Sequence, residues 1–417
     1  MISHLLRLGR LGAIAGLLLA TFGASGASAA TSAAARASIW SVVPTVSPQS
    51  GQLDNSSLQG VSMASAADGW AVGEFMDPSA VIHPLVEHWN GTRWLLATAP
   101  AISGLQSVLQ GVDDLSPTSA WAVGVSGNGS GEINLNQEPL IEHWNGTAWS
   151  VASTPALPAG ETGTLTAIGG SGPTDLWAVG TVTLPGGNAI DSLVEHYNGA
   201  SWTIVPFSVQ SACSTDLVDC FFSAGGVSAS SPTDAWIVGN VAQPNPAVNV
   251  AAHWNGTTWQ VVTAPALHDG TGALDELTGV TDLSPTSAWA SGYEADANGA
   301  NFNVPYVLHW NGTAWSLTKT PNRGGEGSLL RAVTALSATD IWAVGQVQQL
   351  NGTISTLTEH FNGSAWSVVA SPNPGGAGND SLAAVASPGG SVVFAAGAHE
   401  ISGQCCLRAL GLRTASG

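Results

Sequence analysis

Four short apolar runs, each bounded by turn residues, recur along residues 39–413 with a period of about fifty. The first run of a unit, strand A, centres on Val61, Val112, Ile168, Val227, Val280, Val333 or Val385. Strand B opens at an aromatic and closes on glycine, as in Trp70-Ala71-Val72-Gly73. Its other copies start at Trp121, Trp177, Trp236, Trp289 and Trp342, with Phe394 in the last unit. Strand C ends in Trp89, Trp144, Tyr197, Trp254, Trp310 or Phe361. Strand D opens at Trp40, Trp94, Trp149, Trp202, Trp259, Trp315 or Trp366. All 17 Trp fall in the B, C and D columns, which predicts a packing role for them.

The two ends carry complementary fragments of one unit. The last copy runs from Leu382 to Arg413 and lacks its strand D, whereas Trp40-Ser41-Val42-Val43 matches Trp366-Ser367-Val368-Val369. Six whole units and one split unit predict an all-β, seven-bladed β-propeller of four-stranded antiparallel blades, closed by the N-terminal strand. The expected domain spans 39–413, with blade 7 divided between 39–44 and 382–413.

The Asn-Gly step between strands C and D, as at Asn90-Gly91 and Asn145-Gly146, predicts a type I′ hairpin with positive φ at both central residues. That register sets Trp89 against Thr92 and Glu87 against Trp94. Along strand B, Trp70 and Val72 face one way and Ala71 and Gly73 the other. One side of the blade is bulky and the other flat, so that a neighbouring aromatic can approach.

From the strand A residue to the strand B aromatic is always 9 positions, and from the strand C aromatic to the strand D Trp always 5. The B–C interval runs from 18 to 23 positions and the D–A interval from 18 to 25. Alternating strand directions put the uniform turns on one face of the disc and the variable loops on the other. Ligands are therefore expected on the B–C and D–A face. Its loops include 74–84, 125–139, 181–192, 241–249, 293–305 and 346–356, joined by 157–164, 206–220 and 268–276. The carboxylates there, Glu74, Asp77, Glu138, Asp191, Glu294 and Asp296, are candidate ligand-binding residues for sugar hydroxyls or Ca²⁺.

A strand ending in glycine, an aromatic closing the next, a turn and then a Trp resemble the kelch repeat of galactose-oxidase-like β-propellers. In unit 2 these are Gly124, Trp144, Asn145-Gly146 and Trp149, with Pro155 beyond. The resemblance covers about residues 39–413 and implies the propeller architecture. The family's paired glycines are a single glycine here. Asn-Gly-Thr-x-Trp also resembles the Asp-box hairpin of sialidase-type propellers, with an aromatic such as Trp144 at the Asp position.

The start of the chain changes the setting. Arg7 and Arg10, the apolar run 11–22 and Ala27-Ser28-Ala29 read as a secretory signal peptide over 1–29, followed by an Ala/Ser-rich segment, 30–38. An exported, soluble, monomeric protein is expected, with no membrane insertion. Net charge is −19, and about −21 once the signal is removed, which argues against nucleic acid as a partner. In an exported chain the closely spaced Cys213 and Cys220 are expected to form a local disulfide, while Cys405 and Cys406 are adjacent.

No catalytic set stands out. Glu87-His88, Glu142-His143, Glu195-His196 and Glu359-His360 are neighbours on a strand and point to opposite faces. Such a pair cannot share an ion or a proton, and a hydrogen-bonding His between blades is expected. The tyrosines are Tyr197, Tyr293 and Tyr306, too few for a copper-radical site, and the arginines are scattered over unrelated units. The expected function is a secreted, non-catalytic binding propeller for an extracellular glycan or protein, without a cofactor unless Ca²⁺ binds. The alternatives are a carbohydrate hydrolase or lyase using loop carboxylates, and a purely structural surface protein.

Overall fold

The computed structural model describes residues 39–48, 55–102, 104–128, 135–185, 190–207, 209, 221–242, 248–265, 274–295, 303–321, 327–400 and 406–415. They form seven four-stranded antiparallel sheets arranged as a propeller. Blades 1 to 6 each take four consecutive strands, over 55–96, 106–151, 162–204, 221–262, 274–318 and 327–368. Blade 7 takes Asp380–Ala386, Phe394–Glu400 and Leu407–Thr414, with Trp40–Val43 as its outer strand. That N-terminal strand runs antiparallel to Leu407–Thr414, with Trp40 opposite Thr414 and Val43 opposite Gly411. The first blade packs on the last through Leu58, Trp89 and Trp94 against Phe394, Ala396 and Ala409. The ring is therefore closed by the N-terminal strand.

The Trp columns form one repeated joint. Each strand B aromatic packs on the C and D aromatics of the next blade, except Trp342, which meets only the strand D Trp40 of blade 7, at 5.5 Å. Trp70 lies 4.9 Å from Trp144 and 5.0 Å from Trp149. Trp177 lies 4.9 Å from both Trp254 and Trp259, and Phe394 meets Trp89 at 5.2 Å. These tilted and edge-on geometries suit the ring quadrupoles. The opposite side of strand B is flat, as Ala71 in the joint with blade 7 illustrates.

The strand B glycine has a more local cause than a neighbour's approach. A Cβ on Gly124 would overlap the carbonyl oxygen of Val108 in its own blade, and the same holds for Gly73 against Ser57 and Gly180 against Thr164. Strand A bulges just there, in every blade. The register slips between Leu58 and Gly60, Leu109 and Gly111, Leu165 and Ala167, and at the matching points of the other four.

The C–D hairpin differs from the expected type I′ form. Trp89 pairs with Trp94 and Glu87 with Leu96 across a four-residue loop, Asn90 to Arg93. Gly91 has φ +91° and Asn90 keeps a negative φ. The reason is Asn90 Oδ1, which accepts the N–H groups of Thr92 (3.1 Å) and Arg93 (3.0 Å). This side-chain turn closes the loop with one left-handed residue. Gly91 rests against Ala67 and Gly146 against Thr118, so the C–D turns lie beside the A–B turns. In blades 1, 2, 4 and 5 the strand C indole N–H donates to an A–B turn carbonyl, for example Trp144 to Pro117 O at 3.1 Å. The B–C and D–A ends make up the other face.

The repeated histidine bonds within its own blade rather than between blades. His88 Nε2 meets Asp68 Oδ1 at 2.7 Å, and His196, His253 and His360 meet Asp175, Asp234 and Asp340 likewise. Each ring lies over its own strand B Trp, at 4.4 Å for Trp70 and His88. In blade 7, Arg413 occupies this place, with its guanidinium 5.4 Å from the Phe394 ring centroid and 5.6 Å from that of Trp89. The partner Asp stands two residues before the Trp, a spacing visible in the sequence.

Candidate ligand site at the channel mouth

The seven inner strands surround an axial channel with a cavity of about 180 Å³. The bulges build its wall. Each leaves one residue outside the ladder: Gln59, Gln110, Thr166, Gly225, Thr278, Arg331 and Ala383 in blade order. All seven line the cavity. The next residue in each strand is Gly or Ala because neighbouring inner strands nearly touch. A Cβ on Gly226 would lie 3.0 Å from the Cα of Gly279, and one on Gly60 3.2 Å from the Cα of Gly111. Small residues thus hold the ring closed, and the preceding residue supplies the chemistry. Thr166 and Thr278 staple blades together: the Thr278 hydroxyl sits 3.1 Å from Ser291 O and 2.8 Å from Leu330 O in the next blade. Gln59 Nε2 donates to Ser57 Oγ at 3.1 Å.

Toward the B–C and D–A face the channel opens onto a polar rim, densest in blade 5. Glu276 stands opposite Tyr293 and Asp275 opposite Glu294. The Tyr293 hydroxyl donates to Glu276 Oε2 at 2.6 Å, and the buried Tyr306 hydroxyl donates to Asn249 Oδ1 at 2.9 Å. Burial, followed by the Glu276 hydrogen bond and charge, pushes the Tyr293 phenol well up. Burial and the charge of Asp275 do the same for Tyr306. Both therefore stay protonated donors at neutral pH.

The sequence-derived carboxylates are spread over several blades. Glu294 is 7% exposed and belongs to the blade 5 rim. Glu74, in blade 1, is half-buried opposite Ser57, and burial raises its pKa while the bond to Ser57 opposes the rise. Asp77 is committed to its own loop. It accepts the N–H groups of Ser79 (2.8 Å) and Val81 (3.0 Å) and meets His83 at 3.1 Å. Those bonds, Val81 first, hold its pKa down. Glu138 is exposed opposite Ser126 in blade 2, and Asp191 is exposed in blade 3 with its Oδ1 on the N–H of Ser192. Asp296, Cys213, Cys220 and Cys405 lie outside the described residues. Cys406, which is described, is not a free thiol. Among the described residues no three His, Cys, Asp or Glu side chains converge as a metal-ligand set.

A second cavity, of about 280 Å³, lies beside blade 7 between Pro44, Thr45, Ser56, Pro374, His399 and Arg408. Burial and the Arg408 charge lower the His399 pKa. Neither cavity joins a histidine to a carboxylate pair at the channel mouth.

The Glu column is structural and costly. Glu87, Glu142 and Glu195 are fully buried on the side of the blade away from the histidine. Glu87 Oε1 accepts the N–H of Val46 at 3.1 Å, whereas among the described residues neither oxygen of Glu142 or Glu195 has a hydrogen-bond partner. The positions matching Val46, six residues after the strand D Trp, hold Pro100 and Pro155 ahead of blades 2 and 3, and proline has no N–H. Burial lifts the carboxyls to about 8 at Glu87 and Glu142 and about 7 at Glu195.

The chain matches no protein-family model. It also matches no curated protein. Among solved structures it is similar to YCF48 bound to D1 peptide, at 13% identity and TM-score 0.52, over 91% of this chain and 97% of that one. It is also similar to a protein of unknown function from Dyadobacter fermentans, at 9% identity and TM-score 0.48, over 90% and 97%. A third similar structure is the fucose-specific lectin of Aleuria aurantia, at 14% identity and TM-score 0.44, over 76% and 95%. At these identities the likeness is one of fold, and the fold is the β-propeller.

Proposed function

We propose that the protein is a secreted, non-catalytic binding propeller that takes an extracellular ligand, a glycan or a protein segment, at the channel mouth on the B–C and D–A face. The observation that carries this reading is the channel wall. Amides, hydroxyls and one guanidinium stand on a rigid ring there, with no histidine–carboxylate cluster beside them among the described residues. The raised phenols of Tyr293 and Tyr306 support it further, since a lyase-type tyrosine base would need the opposite shift. The propeller likeness is to proteins whose names record peptide and fucose binding, and both ligand classes fit a polar mouth of this kind. Export rests on the N-terminal pattern over 1–29, and the repeat is read as a divergent kelch-like unit with one strand B glycine.

The test is a panel of extracellular polysaccharides and peptides, offered to the purified mature chain with and without Ca²⁺, with the mixtures checked for cleavage products. Saturable binding without products is the expected outcome. Dependence on Ca²⁺ would bring in a metal, to be traced by single Asp/Glu→Asn/Gln variants at Glu74, Asp77, Glu138, Asp191, Glu294 and Asp296. New products would replace this reading with the hydrolase or lyase. Silence across the panel would leave a purely structural role.

A further inference from the structure

Among the described residues that line the channel cavity, Arg331 is the one charged side chain. Its side chain is exposed, and among the described residues it makes no hydrogen bond and no ion pair. Tyr293, whose hydroxyl feels the positive charge of Arg331, lies on the loop side of the bulges. The backbone beneath Arg331 is pinned, because Leu330 O accepts the Thr278 hydroxyl of the neighbouring blade at 2.8 Å. A fixed base with an unengaged head is a pre-organised donor.

Its surroundings are unequal. Ala383 follows Arg331 around the ring, so no polar bulge side chain stands next to it on that side, while Thr278 precedes it. Gln59 and Gln110 face the cavity from blades 1 and 2 with neutral amides. Glu276 on the rim already accepts the Tyr293 hydroxyl. The chain carries −19 overall, so a lone arginine at the axis marks the point where an anionic group is tolerated.

We infer that the channel mouth selects an acidic glycan, seating a sugar oxyanion on Arg331 and adjacent hydroxyls on Gln59 and Gln110. A planar guanidinium presents two parallel N–H groups to a carboxylate or sulfate, and side-chain amides pair with sugar hydroxyls. This inference rests on the binding reading above and specifies its ligand.

The experiment is calorimetry on the mature chain with oligogalacturonate, with the same oligosaccharide after its carboxyls are reduced to alcohols, and with a sulfated neutral oligosaccharide. The wild type is expected to bind an acidic probe, more weakly as salt rises, and to prefer it over the reduced one. Stronger binding of the uronate or of the sulfate identifies which oxyanion is read. Arg331→Gln is expected to weaken acidic binding about tenfold or more at an unchanged melting temperature, and Arg331→Lys to retain part of it. Equal binding of the reduced oligosaccharide, or unchanged affinity in Arg331→Gln, would overturn the anion site while leaving the binding propeller standing. Binding of an Arg331-dependent acidic peptide with no glycan bound would overturn the sugar assignment. No binding of any probe would overturn both.

Discussion

Replacing Glu142 and Glu195 together with glutamine is expected to flatten the fall in stability that the wild type shows as pH rises through 7 and 8. The folded-state pKa of Glu142 is about 8 and that of Glu195 about 7, both above the ordinary 4.5. Between 4.5 and those values the folded chain therefore holds more protons than the unfolded chain. The stabilising contribution is complete below about 4.5 and is lost as pH rises through 7 and 8. One unit of pKa corresponds to about 1.4 kcal/mol, so each site is worth several kcal/mol between the two limits. Burial raises Glu87 to about 8 and Asp113 and Asp114 to about 7, and they act in the same direction. Chemical denaturation from pH 5 to 9 should thus show the wild type weakening steadily, and the double variant weakening much less. Matching slopes would mean that these carboxyls ionise freely in the folded state.

Truncating one strand B tryptophan should do the greatest damage of any single side chain. Trp177 is fully buried and spans two blades, packed in tilted and edge-on contact with its own His196 at 4.2 Å and with Trp254 and Trp259 of the next blade. Trp177→Ala removes the joint and leaves a cavity, at a cost of about 3–5 kcal/mol. Trp177→Phe should lose far less. Among the described residues the indole N–H of Trp177 has no hydrogen-bond partner, and Phe394 already fills the same place in blade 7. A thermal melt of both variants separates the possibilities. Equal losses would point to the N–H, and no loss in the alanine variant would remove the packing role altogether.

The sequence made the architecture legible because its period is carried by tryptophan. Fixed spacings of 9 and 5 residues mark which strands pair, and the stray Trp40 segment shows how the ring closes. Finer geometry was less legible. Asn-Gly suggests two left-handed residues, yet Asn90 Oδ1 closes the turn with one, a competition between side chain and backbone that the dipeptide alone does not reveal. The strand B glycine reads as a packing surface until the bulge shows the Val108 carbonyl behind Gly124.

The candidate site was less visible still. A bulge changes register by one residue, so Gln59, Gln110 and Arg331 look like ordinary strand residues until the ladder slips beneath them. A signal for them does exist. Each precedes a small residue and then Val, as in Gln59-Gly60-Val61, Gln110-Gly111-Val112 and Arg331-Ala332-Val333. The acidic loop residues drew attention because they are charged and variable. In the fold Asp77 and Asp191 serve their own loops, and Glu294 enters the blade 5 rim beside Asp275.

Hydrogen exchange with and without saturating oligogalacturonate measures most directly where the ligand sits. Protection is expected in the strand A segments carrying Gln59, Gln110, Thr278 and Arg331 and in the blade 5 rim around Tyr293, with the Asn-Gly turns unchanged. Protection confined to those turns, on the opposite face, would contradict a ligand site at the channel mouth.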